Sequence, residues 1–165
     1  MNMHILEKCQ IVSGFVPIDL AAAAQTGDYV SLKNYGRCAV VLFKAVGTAG
    51  EDPIITLTQA TDVAGTGVKN LIFDRIDVKQ GTQTAIGTFT TIANADHDYT
   101  EATAAENQAV WVIDVKAEDL DIDGGFDCIK AAIGDVGVGA QLGALLYILH
   151  EPRYAAVPLP SAIVD

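Results

Sequence analysis

The sequence lacks any apolar run long enough to cross a membrane as a helix. Its longest strongly apolar run is residues 144–149 (ALLYIL), whereas a membrane-spanning helix needs about 20 residues. The first residues, MNMH, show no basic region followed by a hydrophobic stretch, so no secretory signal is predicted. These absences lead us to expect a protein that is made and folded in a cytoplasm.

Clusters of lysine and arginine are also missing. The 165 residues include 10 basic and 21 acidic side chains, which gives a formal charge of −11, and the basic ones are scattered along the chain. A nucleic-acid binder needs a basic face that displaces phosphate counterions. We therefore expect neither nucleic acid nor an anionic membrane as a partner, and we interpret the acidity as a means of staying soluble at high concentration.

Motifs that assemble catalytic or metal sites are likewise absent from the sequence. No two of the three cysteines (Cys9, Cys38 and Cys128) form a C-x-x-C pair, and the three histidines form no metal-ligand spacing with them. Cys38 and Cys128 are predicted to be buried thiols outside any disulfide framework, and a bridge between subunits through Cys9 stays open. His97 lies between two aspartates, but no nucleophile accompanies it. We predict a protein that is not an enzyme and holds no cofactor.

One acidic segment, residues 119–124 (DLDIDG), matches the first half of a calcium-binding EF-hand loop. Asp119, Asp121 and Asp123 alternate there, and a glycine follows. A complete loop closes with a bidentate glutamate at its twelfth position, which in this chain is Lys130. We favour an acidic strand end that leads into a turn, with weak calcium binding by the three aspartates as the alternative.

The chain does contain a series of short β-type segments separated by glycine-rich turns. Alternation is clearest in residues 108–116 (QAVWVIDVK), where Trp111, Ile113 and Val115 share one face, as in a half-buried strand. No long amphipathic crossover helix is visible, and a parallel sheet would need several. The predicted fold is mostly β, an antiparallel β-sandwich of the jelly-roll or immunoglobulin-like type with extended N- and C-terminal arms. The predicted strands are residues 37–46, 53–60, 70–80, 85–93, 108–116, 126–133 and 142–150.

The predicted organisation is an N-terminal arm (residues 1–28), a β-sandwich domain (29–150) and a proline-rich C-terminal arm (151–165). Short helical pieces are expected at residues 19–24, capped by Asp19, and at residues 101–108.

Proline fixes φ and removes a backbone donor, so the C-terminal arm should be extended. It should either fold back on its own domain or lie across a neighbour. Its predicted partner-contact residues are Pro152, Arg153, Tyr154, Val157, Leu159 and Ile163. The loops at residues 47–53 and 93–100 are second choices.

Several segments in combination resemble a group of small structural proteins that tailed bacteriophages and prophages encode beside the major capsid gene. The segments are residues 27–36 (GDYVSLKNYG), 47–53 (GTAGEDP), 56–67 (TLTQATDVAGTG), 117–129 (AEDLDIDGGFDCI) and 142–155 (LGALLYILHEPRYA). The resemblance extends from about residue 28 to residue 155, and its specificity lies in the combination.

The resemblance implies a capsid decoration or minor capsid protein that cements the major capsid protein on the outer surface of the virion. By analogy it also implies a homo-oligomer, with a trimer favoured over a dimer. One alternative is a tail, neck or head-completion protein of the virion. Another is a host-surface or glycan-binding module in which aromatic side chains stack on sugars, although packing in a core is the favoured role of those aromatics. The aromatic residues in question are Trp111, Phe43, Phe73, Phe89 and Tyr147.

Overall fold

Two antiparallel sheets packed against each other make up the protein, in a computed structural model that describes residues 4–81, 87–154 and 158–164. Strands account for 50% of the described residues and helical turns for 4%. The predicted mostly-β antiparallel sandwich is confirmed.

The first sheet, which we call sheet A, has six long strands in the order β1-β12-β4-β10-β7-β8. Their bounds are β1 Cys9–Asp19, β4 Tyr35–Lys44, β7 Phe73–Gly81, β8 Thr90–Asp96, β10 Gln108–Lys116 and β12 Leu142–Pro152. The β12 strand, although late in the sequence, lies between β1 and β4 and pairs with both along most of its length.

The second sheet, sheet B, is built from shorter strands in the order β2-β11-β5-β6, with β3 paired to β11 and β9 paired to β5. Their bounds are β2 Gln25–Thr26, β3 Val30–Ser31, β5 Ile55–Ala60, β6 Lys69–Asn70, β9 Asp98–Tyr99 and β11 Cys128–Ile133. Two short 3-10 turns, Ile5–Glu7 and Ala117–Asp119, complete the regular structure of the described residues.

The core lies between the sheets and is formed by alternate residues of the long strands. Trp111 is fully buried and meets the Tyr99 ring edge-on, with centroids 5.2 Å apart and planes at 79°. Burying one large aliphatic or aromatic side chain stabilises a fold by about 1.5–3 kcal/mol. The alternation read from residues 108–116 therefore has a direct energetic cause, because each odd-numbered residue from 109 to 115 faces this core.

A tyrosine hydroxyl joins the two sheets inside the core. Tyr147 of β12 crosses to sheet B, where the Ala131 N–H donates to its hydroxyl at 2.9 Å. Burial raises the pKa of Tyr147. A Cβ on Gly27 would lie 2.5 Å from that hydroxyl, so glycine is required here for close approach of the backbone.

The segment that we assigned to an N-terminal arm contains a long strand. The β1 strand forms one edge of sheet A, and its register with β12 shifts between Ser13 and Phe15 and again between Phe15 and Ile18. Gly14 and Pro17 lie in those irregular steps. Because the bulges interrupt the period of two, the strand pattern is hidden in the sequence.

The remaining differences from prediction concern the ends of elements. The predicted helical pieces at residues 19–24 and 101–108 are turns. Asp19, predicted as an N-cap, accepts the Ala21 N–H at 3.0 Å within the first of these turns. Residues 93–100, predicted as a loop, supply the end of β8 and all of β9. Residues 85–86 of the predicted fourth strand lie outside the described residues.

Candidate interaction surfaces

The acidic segment at residues 119–124 is a turn whose carboxylates are directed to different partners. Asp121 forms an ion pair with Lys69 and accepts the Gly124 N–H at 3.0 Å, and the hydrogen bond from Lys69 lowers the pKa of Asp121. Asp119 accepts the Lys116 N–H at 3.1 Å, and Asp123 is exposed. No group of three or more His, Cys, Asp or Glu side chains that could hold a metal occurs in the described part of the chain.

The C-terminal segment, residues 158–164, folds back onto its own chain. The Tyr35 hydroxyl donates to the Pro160 carbonyl at 2.5 Å, and the Ser31 N–H donates to the Ala162 carbonyl at 2.7 Å. Leu159 and Ala162 are buried in the main core. Leu159, one of the predicted partner-contact residues, therefore packs into the core of its own domain.

Other residues of the tail do face solvent. Tyr154 is 67% exposed and Ile163 is 53% exposed. Arg153 is exposed and its N–H donates to the Asn34 carbonyl at 2.9 Å, while Pro152 is the last residue of β12. The predicted contact residue Val157 lies outside the described residues.

Exposed apolar side chains from both ends of the chain occur at one end of the sandwich, where β1 begins and β12 finishes. We call this end the terminal end and define it by the residues Ile5, Leu6, Tyr154, Ile163 and Val164, each more than half exposed. A cleft of about 380 Å³ opens nearby. It is lined by Gly36, Arg37, Lys116, Ala117, Glu118, Glu151 and Arg153. Its charges are mixed, so it favours neither an anion nor a cation.

The outer side of sheet A presents a second surface, and this one is apolar. The outward residues of β12, β4 and β10 are mostly aliphatic or aromatic. In a sheet that is buried on one side only, polar residues are expected at these outward positions. We call it the apolar face and define it by Ile11, Pro17, Ala39, Val41, Phe43, Val110, Val112, Leu142, Ala144, Leu146 and Ile148. A small depression of about 130 Å³ lies on it, bordered by Phe43, Leu142 and Pro17.

The apolar face ends where charged residues begin. Toward the terminal end, the Arg37 guanidinium lies 2.5 Å from the Asp114 carboxylate, and His150 Nε2 lies 3.4 Å from the other oxygen of Asp114. Toward β8, the Thr91 hydroxyl donates to Asp77 at 2.5 Å. These polar groups form a boundary on two sides.

The loops predicted as second choices occupy different places. Loop 47–53 lies at the opposite end of the sandwich, where the Glu51 carboxylate accepts the N–H groups of Val138 and Gly139 at 3.0 and 2.7 Å. Val138 is 96% exposed there. In the other segment, the Asp96 carboxylate accepts the His97 N–H at 2.7 Å and lies 2.6 Å from the ring. His97 thus belongs to a local turn between β8 and β9.

A lysine is buried near the same end. Lys44, 1% exposed, donates to the Ala104 carbonyl and to the Asn107 carbonyl, the latter at 2.7 Å. Burial lowers the pKa of Lys44 to about 8. Its ammonium group connects the turns at residues 101–107 to the end of β4, because it donates hydrogen bonds to two of their carbonyls.

The aromatic residues divide between core and surface. Trp111, Tyr147 and Phe73 are buried, whereas Phe43 and Phe89 are 58% and 48% exposed. The three cysteines lie among the described residues, are buried and form no disulfide within the chain. A stacking platform made of all five aromatics is therefore not formed, and Phe43 belongs to the apolar face.

The sequence interpretation missed the apolar face, but a signal for it was present. Residues 38–43 (CAVVLF) and 144–149 (ALLYIL) are apolar at every position. That pattern is typical of strands covered on both faces. In this chain the two segments are neighbours in sheet A, and only their inward side is covered.

No protein-family model and no curated protein matches this sequence. No helix of the described residues is long and apolar enough to span a membrane.

Proposed function

We propose that this protein is a structural component of a tailed-bacteriophage virion, which decorates the outer surface of the major capsid shell and stabilises it. The phage assignment rests on the sequence resemblance of residues 28–155. The observation that carries a protein-binding role is the terminal end, where five large apolar side chains are exposed on a chain of charge −11. Exposed apolar groups gathered on a polar protein mark interaction sites.

The contact elements on this proposal are the exposed residues of both ends of the chain. Ile5 and Leu6 precede β1, and Tyr154 follows β12. The fold-back of residues 158–164 gives the rest of the contact surface a fixed shape, because Ile163 and Val164 follow a segment hydrogen-bonded to Tyr35 and Ser31. A surface that is ordered before binding loses less conformational entropy when the partner docks.

The stabilising mechanism is mass action. A protein that binds only the expanded capsid shell stabilises that state by RT ln(1 + [L]/Kd), as any ligand does for the state that it recognises. The expected interaction is therefore selective for expanded shells. Acidity keeps the unbound protein soluble until it reaches the shell.

The first experiment is the composition of virions produced by the phage or prophage that encodes this chain. Quantitative mass spectrometry should find the protein in hundreds of copies per particle. About a dozen copies would instead indicate a neck or head-completion ring, and absence from particles would contradict the virion assignment.

The second experiment compares matched substitutions at the two ends of the sandwich. Ile163→Asp places a charge at the terminal end, and Val138→Asp places the same charge on the 96% exposed residue at the opposite end. Cosedimentation with expanded shells should fall about tenfold or more for Ile163→Asp and stay unchanged for Val138→Asp. The reverse pattern would move the contact to the opposite end, and equal binding by both variants would contradict the proposed surface.

A further inference from the structure

We propose that the apolar face of sheet A is the interface of a two-fold symmetric dimer, in which it packs against the same face of a second copy of this chain. The inference goes beyond the virion proposal and does not depend on it, since it uses only the folded chain. The terminal end, which we propose as the contact with the shell, stays outside this interface.

The size of the apolar face suits a dimer. Phe43 and Leu142 are 58% and 57% exposed, Ile11 is 44% exposed and Leu146 is 39% exposed. With the half-buried members the face presents roughly 600 Å² of apolar surface, the upper end of what a typical monomer exposes in one patch. Two copies would bury roughly 1,200 Å², which reaches the range of specific interfaces.

The distribution of charge indicates that the partner of the apolar face is the same face of a second copy. Each chain carries a charge of −11, so two copies repel each other through most of their surface. None of the residues that define the apolar face is charged, and the nearest charged groups, Asp114, Asp77 beside Val112 and Lys79 beside Val110, lie at its margin. Pairing through this face buries no carboxylate and leaves the acidic surface of both copies in water.

The face also carries both halves of a self-complementary contact. Phe43, 58% exposed, forms one wall of a depression of about 130 Å³ that Leu142 and Pro17 also border. A two-fold axis near Phe43 would place the ring of each copy in the depression of the other. An isologous interface needs such a patch, in which projection and recess lie together. A ring of three copies would need two different patches.

Pairing face to face is favoured over pairing through the β1 edge of sheet A. At the β1 edge, the register shifts near Gly14 and Pro17 interrupt the row of backbone donors and acceptors. Bulges and proline are the features that prevent an edge strand from accepting another strand. Most side chains of the apolar face, in contrast, lie on regular parts of β12, β4 and β10.

The test begins with the mass of the full chain in solution. Sedimentation equilibrium between about 1 and 500 µM should show a monomer–dimer equilibrium. A monomer throughout, or a trimer, would overturn the proposal.

Two charge substitutions then locate the interface. Phe43→Glu places a carboxylate in each half of the proposed contact and should raise the dimer dissociation constant about 100-fold or more, since a central aromatic is lost twice. Thr26→Glu adds the same charge at an exposed residue of sheet B and should leave the constant unchanged. A dimer unaffected by Phe43→Glu would overturn the assignment to this face.

A cysteine crosslink decides the matter even if Phe43→Glu fails to fold. Ala144 pairs directly with Phe43 across β12 and β4, so it should lie near the two-fold axis. Because the three native cysteines are buried, mild oxidation of Ala144→Cys should give a disulfide-linked dimer on a non-reducing gel. The Thr26→Cys control should stay monomeric on that gel. Failure of Ala144→Cys to crosslink at concentrations where the wild type is dimeric would overturn the proposal.

Discussion

Sheets A and B are built on opposite plans. Sheet A has long strands, and in β12, β4 and much of β10 both sides are apolar, so its outer surface carries residues such as Phe43 and Leu146. Sheet B has short strands with a polar outer side, where Thr56 and Thr58 of β5 lie opposite Ala132 and Lys130 of β11.

On the outer side of sheet B, polar side chains find their partners within the same sheet. The Tyr29 hydroxyl lies 3.3 Å from the Thr58 hydroxyl, and the Lys130 ammonium lies 4.6 Å from the centre of the Tyr29 ring. These contacts need no further partner. The two outer sides of one sandwich thus differ in chemistry: that of sheet B is polar and internally paired, and that of sheet A exposes the apolar surface that we propose as a dimer interface.

The largest effect on stability is expected when a buried and an exposed residue of β12 that are adjacent in sequence are compared. Leu145 is fully buried, whereas Leu146 is 39% exposed. Leu145→Ala should lower the free energy of unfolding by about 2–5 kcal/mol, because it leaves a cavity in the core. Leu146→Ala should cost less than about 1 kcal/mol in the monomer.

Chemical denaturation at low protein concentration measures both variants. Equal losses for Leu145→Ala and Leu146→Ala would mean that the outer side of sheet A is covered within the monomer. The contrast between the two sheets would then be lost.

An intermediate effect concerns the buried cation at the end of sheet A. Because folding lowers the pKa of Lys44 from 10.5 to about 8, this side chain binds more protons in the unfolded chain between those pH values, and its contribution to stability should rise with pH across that window. Lys44→Met should abolish this rise. At pH 7 it should cost about 1 kcal/mol, since two carbonyls lose their donor.

Thermal unfolding at pH 7, 8, 9 and 10 measures the slope. Lys79→Met is the matched control, because Lys79 is only partly buried, on the outer side of β7. If the stability difference between the wild type and Lys44→Met does not change between pH 8 and pH 10, the pH dependence does not come from Lys44.

The smallest effect is expected on the polar side, at the ion pair between Lys69 of β6 and Asp121. The lowered pKa of Asp121 means that its contribution to stability is present above its ordinary pKa, near 3.8, and is lost as the pH falls through the lower folded value. Asp121→Asn should therefore lower the melting temperature slightly at pH 7 and have no effect near pH 2. Asp123→Asn, in the same exposed turn, should have no effect at either pH.

Much of sheet A could be predicted from the sequence because its strands alternate or are continuously apolar. The predicted strand 108–116 matches β10 at both ends, since Trp111 and its neighbours repeat with a period of two. The β1 strand could not be predicted in the same way, because its bulges break that period around Gly14 and Pro17.

The interaction surfaces were only partly predictable. The proline-rich tail indicated an extended segment, but whether Leu159 faced a partner or its own core depended on contacts with Tyr35 and Ser31, more than 120 residues earlier in the chain. Likewise, Asp121 meets Lys69 through tertiary structure. Local patterns contain no information about such pairings.

The position of β12 has a consequence for how the fold assembles. It lies between β1 and β4 in sheet A, although about 100 residues separate it from β4 and about 120 from β1. Without β12, the first strand has no neighbour in the sheet, and β4 becomes an open edge. Sheet A should therefore close late and as one event, with the high contact order that slows folding. A peptide of residues 142–164 added to a fragment of residues 1–141 would be a natural way to reconstitute the protein from two pieces.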